Sequence, residues 1–378
     1  MSDDRLRAAL RDAPVDDPGA RARSLRVVRA AFREAEPARV RRRGRRRVAA
    51  LARVVVCAAV AAAAASTPGD AVARWVRDVL GVGRDDARPA LVRVPGGGRL
   101  LVSSAGGAWA VSADGSRRRL GGYAGASWSP HGRFAVAWRG GELWAVEPGG
   151  RVRWSLARPR RISAARWGPV DGYRIAYLAG ARLRVVNGDG TGDRPLARAR
   201  AAVAPAWRPD RAHVLAYADA SGRVRVVAVD SGRELWRTRA VAGIRQLTWS
   251  PDGARLLVAT GRRLVLLGRS GRRLAQRRLA SDDVAWAPRG GRVAIVRGGE
   301  VVLADPAGRG RPRVLFTGPG RFGPVAWSPS GRRLLVPWPE ADQWLFLDAR
   351  RGDRTTAVAN IARQFGRFPE RVEWCCAK

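Results

Sequence analysis

Trp249-Ser250-Pro251-Asp252-Gly253-Ala254-Arg255-Leu256-Leu257-Val258 reads as a strand end, a tight turn and a new apolar strand within ten residues. Proline after the Trp-Ser pair cannot donate to a sheet ladder and so ends the strand, and glycine supplies the positive φ that the turn needs. The same text recurs at Trp128-Ser129-Pro130-His131-Gly132-Arg133, at Trp167-Gly168-Pro169 with Asp171-Gly172, and at Trp207-Arg208-Pro209-Asp210. Further on come Trp286-Ala287-Pro288 with Gly290 and Trp327-Ser328-Pro329-Ser330-Gly331-Arg332. The tryptophans are spaced by 39, 40, 42, 37 and 41 residues, the length of one small sheet of four strands repeated along the chain.

The interior of each unit fits. An apolar strand follows the turn, as at Arg255 to Ala259 or Arg333 to Val336, and a second, alternating one follows that, as at Leu143 to Val146, Arg223 to Val229 or Trp344 to Leu347. A Gly- or Asp-containing hairpin and an Arg-rich last strand close the unit. These units predict an all-β fold, a β-propeller in which each tryptophan packs between neighbouring blades. The ends of the array decide the count. Pro95-Gly96-Gly97-Gly98-Arg99-Leu100-Leu101-Val102 has the turn and strand without a tryptophan, whereas Val372-Glu373-Trp374 has the strand and tryptophan without a turn. The halves complement each other, so seven blades are expected, with the last strand of the chain completing the first blade and removing an exposed sheet edge. A competing assignment makes Leu91 to Val94 that first strand, and six blades are the lesser alternative. Trp128, Trp167, Trp207, Trp249, Trp286, Trp327 and Trp374 are accordingly read as structural.

An apolar strand ending in Trp-Ser-Pro-Asp-Gly and running into a second apolar strand resembles the WD40-like, TolB-type propeller repeats. The resemblance covers about residues 90 to 376 and departs from true WD40 repeats in lacking their Gly-His and Trp-Asp dipeptides. Taken with the N-terminal features below, the chain looks similar to membrane-anchored repeat proteins of high-GC bacteria. The resemblance implies a fold and no activity.

The 378 residues carry 71 basic and 32 acidic side chains, a formal charge of +39, and 15 Trp. Lys378 is the single lysine, so the charge is arginine, spread over every repeat instead of being gathered on one element. That dispersal reads as a solvated surface and argues against specific nucleic-acid binding.

Residues 1–47 read as a basic helical tail, with Leu6 and Leu10 on one face and Leu25, Val28 and Phe32 on another, interrupted by Pro14, Pro18 and Pro37. Arg41 to Arg43 and Arg45 to Arg47 precede an Ala-rich apolar stretch, residues 48–66, broken by Arg53. Nineteen residues at about 1.5 Å each just span a bilayer core, so a single-pass helix is expected. The arginine cluster keeps the N-terminus cytoplasmic and places the propeller outside. Residues 67–89 read as a juxtamembrane helix and linker, and residues 90–378 as the propeller.

There is no Gly-x-Ser-x-Gly elbow with a downstream histidine. Tyr123, Tyr173, Tyr177 and Tyr217 sit in strand patterns, and the sequence assembles no set of acidic partners and clustered arginines for a tyrosine nucleophile. Asn187-Gly188-Asp189-Gly190-Thr191-Gly192-Asp193 has oxygens at alternate positions like a calcium loop but lacks the distal glutamate, and it aligns with hairpin turns. His131 and His213 are the only histidines, and Cys57, Cys375 and Cys376 the only cysteines, which make no zinc set. Adjacent Cys375 and Cys376 form either a vicinal disulfide or two free thiols. The sequence thus predicts no catalytic site, metal or cofactor. It predicts a monomeric membrane-anchored scaffold binding a protein, peptide or glycan on a propeller face, with a cytoplasmic partner for residues 1–40. The alternatives are a soluble intracellular scaffold and an anti-sigma-like signalling protein.

Overall fold

The computed structural model describes residues 87–88 and 91–376, apart from 170–172, 211 and 351–354. The tail, the apolar stretch 48–66 and nearly all of the linker lie outside the described residues. Among the described residues no helix is long and apolar enough to cross a membrane.

Seven sheets follow one another, each with a core of four antiparallel strands, and in six of them those four are consecutive in the chain. Blades 2 to 7 start with the inner strands Gly125–Trp128, Ile162–Trp167, Ala206–Trp207, Ile244–Trp249, Asp283–Trp286 and Ala326–Trp327. Blade 1 is assembled from both ends of the array. Arg371–Cys375 is its inner strand and pairs antiparallel with Arg99–Ser104, placing Trp374 opposite Leu100. That register repeats Trp249 opposite Leu256 and Trp327 opposite Leu334. The seven inner strands touch in a closed cycle, with Arg371–Cys375 contacting Ala326–Trp327 on one side and Gly125–Trp128 on the other. The count is therefore seven, not six. Leu91 and Val94 are buried in the interface between blades 7 and 1, and no strand forms there.

The core is divided among the blade interfaces because each strand sends alternate side chains to opposite faces of its sheet. Seven apolar clusters fill seven interfaces, one each. Between blades 4 and 5, for example, Val214, Ala216, Val224 and Val226 meet Leu247, Trp249, Leu256 and Val258. The interface between blades 7 and 1 is reinforced by a one-turn helix, Ile361–Phe365, whose Phe365 ring stacks on Trp344 at 5.1 Å between centroids. Ala87–Arg88, in the stretch read as linker, adds a parallel fifth strand to blade 7, opposite Ala357 and Val358.

The turn motif has a third working residue. In Trp-Ser-Pro-x-Gly the glycine takes a positive φ, +65° at Gly253 and +68° at Gly331, and its N–H returns to the serine carbonyl. The serine side chain then accepts the N–H five residues on: Phe134 to Ser129 Oγ at 3.0 Å, Arg255 to Ser250 Oγ at 3.0 Å and Arg333 to Ser328 Oγ at 2.9 Å. A buried hydroxyl thus clamps the turn to the strand that leaves it.

Candidate ligand-binding face

Six of the repeat tryptophans end their inner strands, beside the turns, and Trp374 is next to last in Arg371–Cys375. At four consecutive interfaces the indole N–H crosses to the blade before, to the carbonyl of the residue preceding that blade's own tryptophan. Trp207 donates to Arg166 O at 3.0 Å, Trp249 to Ala206 O at 3.2 Å, Trp286 to Thr248 O at 3.2 Å and Trp327 to Ala285 O at 3.0 Å. Around the closing blade the pattern changes. Trp374 donates to Gly97 O at 2.8 Å in its own blade, and the buried Nε1 atoms of Trp128 and Trp167 have no partner among the described residues.

The residue before the one that faces the repeat tryptophan is arginine in five of the seven blades: Arg99, Arg174, Arg255, Arg292 and Arg333. Phe134 and Val214 hold the place in blades 2 and 4. Arginines that are scattered along the sequence at the repeat period therefore gather on one face of the ring, the face that carries the Trp-x-Pro-x-Gly turns. For these five arginines, dispersal in sequence is not dispersal in space. Two of these guanidiniums are braced by the next blade's indole, with Arg99 5.7 Å from the Trp128 ring centre and Arg255 5.0 Å from that of Trp286. Stacking of this kind fixes the cation while leaving its N–H edges free to meet an acceptor.

The ring axis holds a second group of charges. Five blades carry Ala, Ser or Thr immediately before the tryptophan, but blade 3 has Arg166 and blade 1 has Glu373. Their strands flank that of blade 2, and Arg166 Nη1 reaches across to within 3.6 Å of Glu373 Oε1. Glu373 Oε2 accepts the Trp128 N–H at 2.9 Å, and Arg371 Nε lies 3.6 Å from Oε1. Burial pulls the Arg166 guanidinium down to about 10, helped by the like charge of Arg371 and opposed by Glu373. Asp283 accepts the Val325 N–H at 3.0 Å from the next blade; burial raises its carboxyl despite that bond and the charge of Arg371. Gln246 likewise bridges blades, exchanging hydrogen bonds of 3.1 and 2.8 Å with the Val284 N–H and C=O. A charged residue where the other repeats keep a small one was the sequence signal for Arg166 and Glu373, and reading for tryptophans passed over it.

The remaining residues singled out above have local partners. Thr191 N–H and Oγ1 both bond Asp189 Oδ1, at 2.9 and 2.7 Å, so the calcium-like loop spends its oxygens on its own turn. Asp193 leaves that loop for Tyr177 Oη at 2.6 Å, Arg184 Nη2 at 2.5 Å and Arg158. Tyr177 thus has the acidic and arginine neighbours that the sequence did not assemble; burial, then the neighbouring Asp193, pushes its phenol up to about 12. His213 Nδ1 lies 2.5 Å from Asp230 Oδ2, and Asp230 also pairs with Arg174 at 2.9 Å. Cys375 and Cys376 are joined in a vicinal disulfide at the end of the closing strand. It lies against Gly132, where any side chain would collide with both sulfurs. Among the described residues no group of three or more His, Cys, Asp or Glu side chains could hold a metal ion. In comparisons with known proteins, no family model and no curated protein matches this sequence.

Proposed function

We propose that this protein is a non-enzymatic binding scaffold whose propeller takes an acidic protein, peptide or glycan ligand on the turn face. One observation carries the reading: the repeat places an arginine at the same position of five blades, so the ring presents a cationic rim on a rigid frame. A closed ring of seven sheets suits such a role because its turn residues can vary while interface clusters hold the frame.

The finer parts of the proposal rest on sequence. The Trp-Ser-Pro-Asp-Gly repeats support placement with WD40-like, TolB-type propellers, in the manner of membrane-anchored proteins of high-GC bacteria. Arg41 to Arg47 ahead of the apolar stretch 48–66 support a single-pass anchor, with the tail 1–47 in the cytoplasm, its residues 1–40 available to a partner, and the propeller outside.

Two measurements test the proposal. Membranes washed with alkaline carbonate should retain the full chain, and its release would replace the anchored scaffold with a soluble one. Capture of ligand by the full chain should fall in Arg99→Ser/Arg333→Ser at physiological salt, and unchanged capture would remove the rim as the contact surface.

A further inference from the structure

On the turn face, between blades 5 and 6, lies a cleft of about 430 Å³, within the ordinary range of about 300–1,000 Å³ for ligand sites. Its walls carry four guanidiniums, Arg255, Arg292, Arg309 and Arg311, and one carboxylate, Asp305. Asp252, at the cleft edge, pairs with Arg255, so four positive charges against two negative leave an excess of two, carried by Arg292 and Arg311. Arg309 Nε binds Asp305 Oδ2 at 2.9 Å, while no carboxylate among the described residues lies within ion-pair distance of Arg292 or Arg311.

The position of Arg255 is built. Its guanidinium stacks over Trp286 at 5.0 Å, with the Asp252 carboxylate 3.8 Å away. Gly291 sits beside it at φ +64°, and a Cβ there would come within 2.9 Å of Arg255 Nη2. Glycine at 291 therefore preserves both the turn and the place of the guanidinium. Arginines gathered around one concavity raise the positive potential there, and their forked N–H groups match phosphoryl oxygens two at a time.

We infer that this cleft binds a chain of phosphoryl groups, as carried by inorganic triphosphate or by a nucleoside triphosphate. The inference rests on the reading of the turn face as the ligand-binding face. A single carboxylate ligand would leave one of the two excess charges unmet, whereas a chain of phosphoryl groups brings enough negative charge to meet both.

Calorimetric titration of the full chain with sodium tripolyphosphate, in about 0.15 M salt to screen long-range attraction, tests it. Binding of one equivalent is expected, weakened at least about tenfold in Arg292→Ser/Arg311→Ser. A charge-matched control away from the cleft, Arg239→Ser/Arg262→Ser, should change affinity by less than about twofold. Asp305→Asn, which releases Arg309, should tighten binding, a gain that misfolding cannot mimic. A nucleoside triphosphate binding as tightly as tripolyphosphate means that the phosphoryl chain alone is read; tighter binding means that the base is read as well. Equal weakening in both double variants, or uptake of many equivalents without a one-to-one step, overturns the inference. If that happens while Arg99→Ser/Arg333→Ser still lowers ligand capture, the binding-face reading stands and the phosphoryl site alone falls.

Discussion

The indole Nε1 of Trp327 donates to the carbonyl of Ala285, the residue beside Trp286 in the preceding blade, at 3.0 Å. Each of the four regular interfaces thus has an indole fastener set in an apolar seam. Replacing Trp327 with Phe keeps most of the packing and orphans the Ala285 carbonyl, which should cost about 1–3 kcal/mol. Trp167→Phe should cost less than Trp327→Phe, because the Trp167 Nε1 already lacks a partner among the described residues. Urea midpoints of the two variants check the difference, and equal losses would mean that the bond contributes nothing.

Ser250 and Ser328 are fully buried, and each accepts the N–H that starts the following strand. Ser250→Ala and Ser328→Ala should each destabilise by about 1–2 kcal/mol, because a buried donor loses its acceptor. The loss should add in the double variant, since the two turns belong to different blades. Thermal unfolding of the single and double variants measures it.

The half-matches at the two ends of the array, in Pro95 to Val102 and Val372 to Trp374, revealed the closure because the Trp-to-strand register is local in six blades and had to be met non-locally in the seventh. The serine clamps were visible as letters but not as bonds, since three of the six turn motifs use Gly168, Arg208 or Ala287 instead. The arginine rim escaped the sequence reading for a geometric reason. A residue recurring once per forty looks diluted along a line and becomes concentrated on a circle. Arg166 and Glu373 were hidden in a different way, because their pairing spans an intervening blade and depends on side-chain reach.

Two aspartates should respond to pH in opposite directions. Burial raises the carboxyl of Asp283, so the folded protein holds that proton more tightly than the unfolded chain, whose carboxyl titrates near about 3.9. Stability from this group is complete below that value and falls as pH climbs toward the raised folded value. Asp283→Asn should therefore gain in melting temperature over the wild type as pH rises from about 4 to 8. A constant difference across that range would show that Asp283 does not titrate abnormally.

Burial also pushes Asp219 up, but hydrogen bonds from Arg225, Ser221 and the Arg223 N–H outweigh it and hold the carboxyl down at about 2. Its contribution is fully present above about 3.9 and is lost as pH falls toward 2. Asp219→Asn should be destabilised most at neutral pH and approach the wild type in acid, as melting curves from about pH 7 down to 3 would show. An acid-independent deficit would assign the effect to packing.

Ring closure by the end of the chain is the claim on which the others depend, and hydrogen–deuterium exchange of the full chain tests it most directly. Arg371–Cys375 hydrogen-bonds to Arg99–Ser104 as the inner strand of blade 1. Its paired amides should exchange as slowly as those of Ile244–Trp249, the inner strand of blade 5, and the two should be released together on unfolding. Rapid exchange across Arg371–Cys375, with Ile244–Trp249 still protected, would contradict the closed ring.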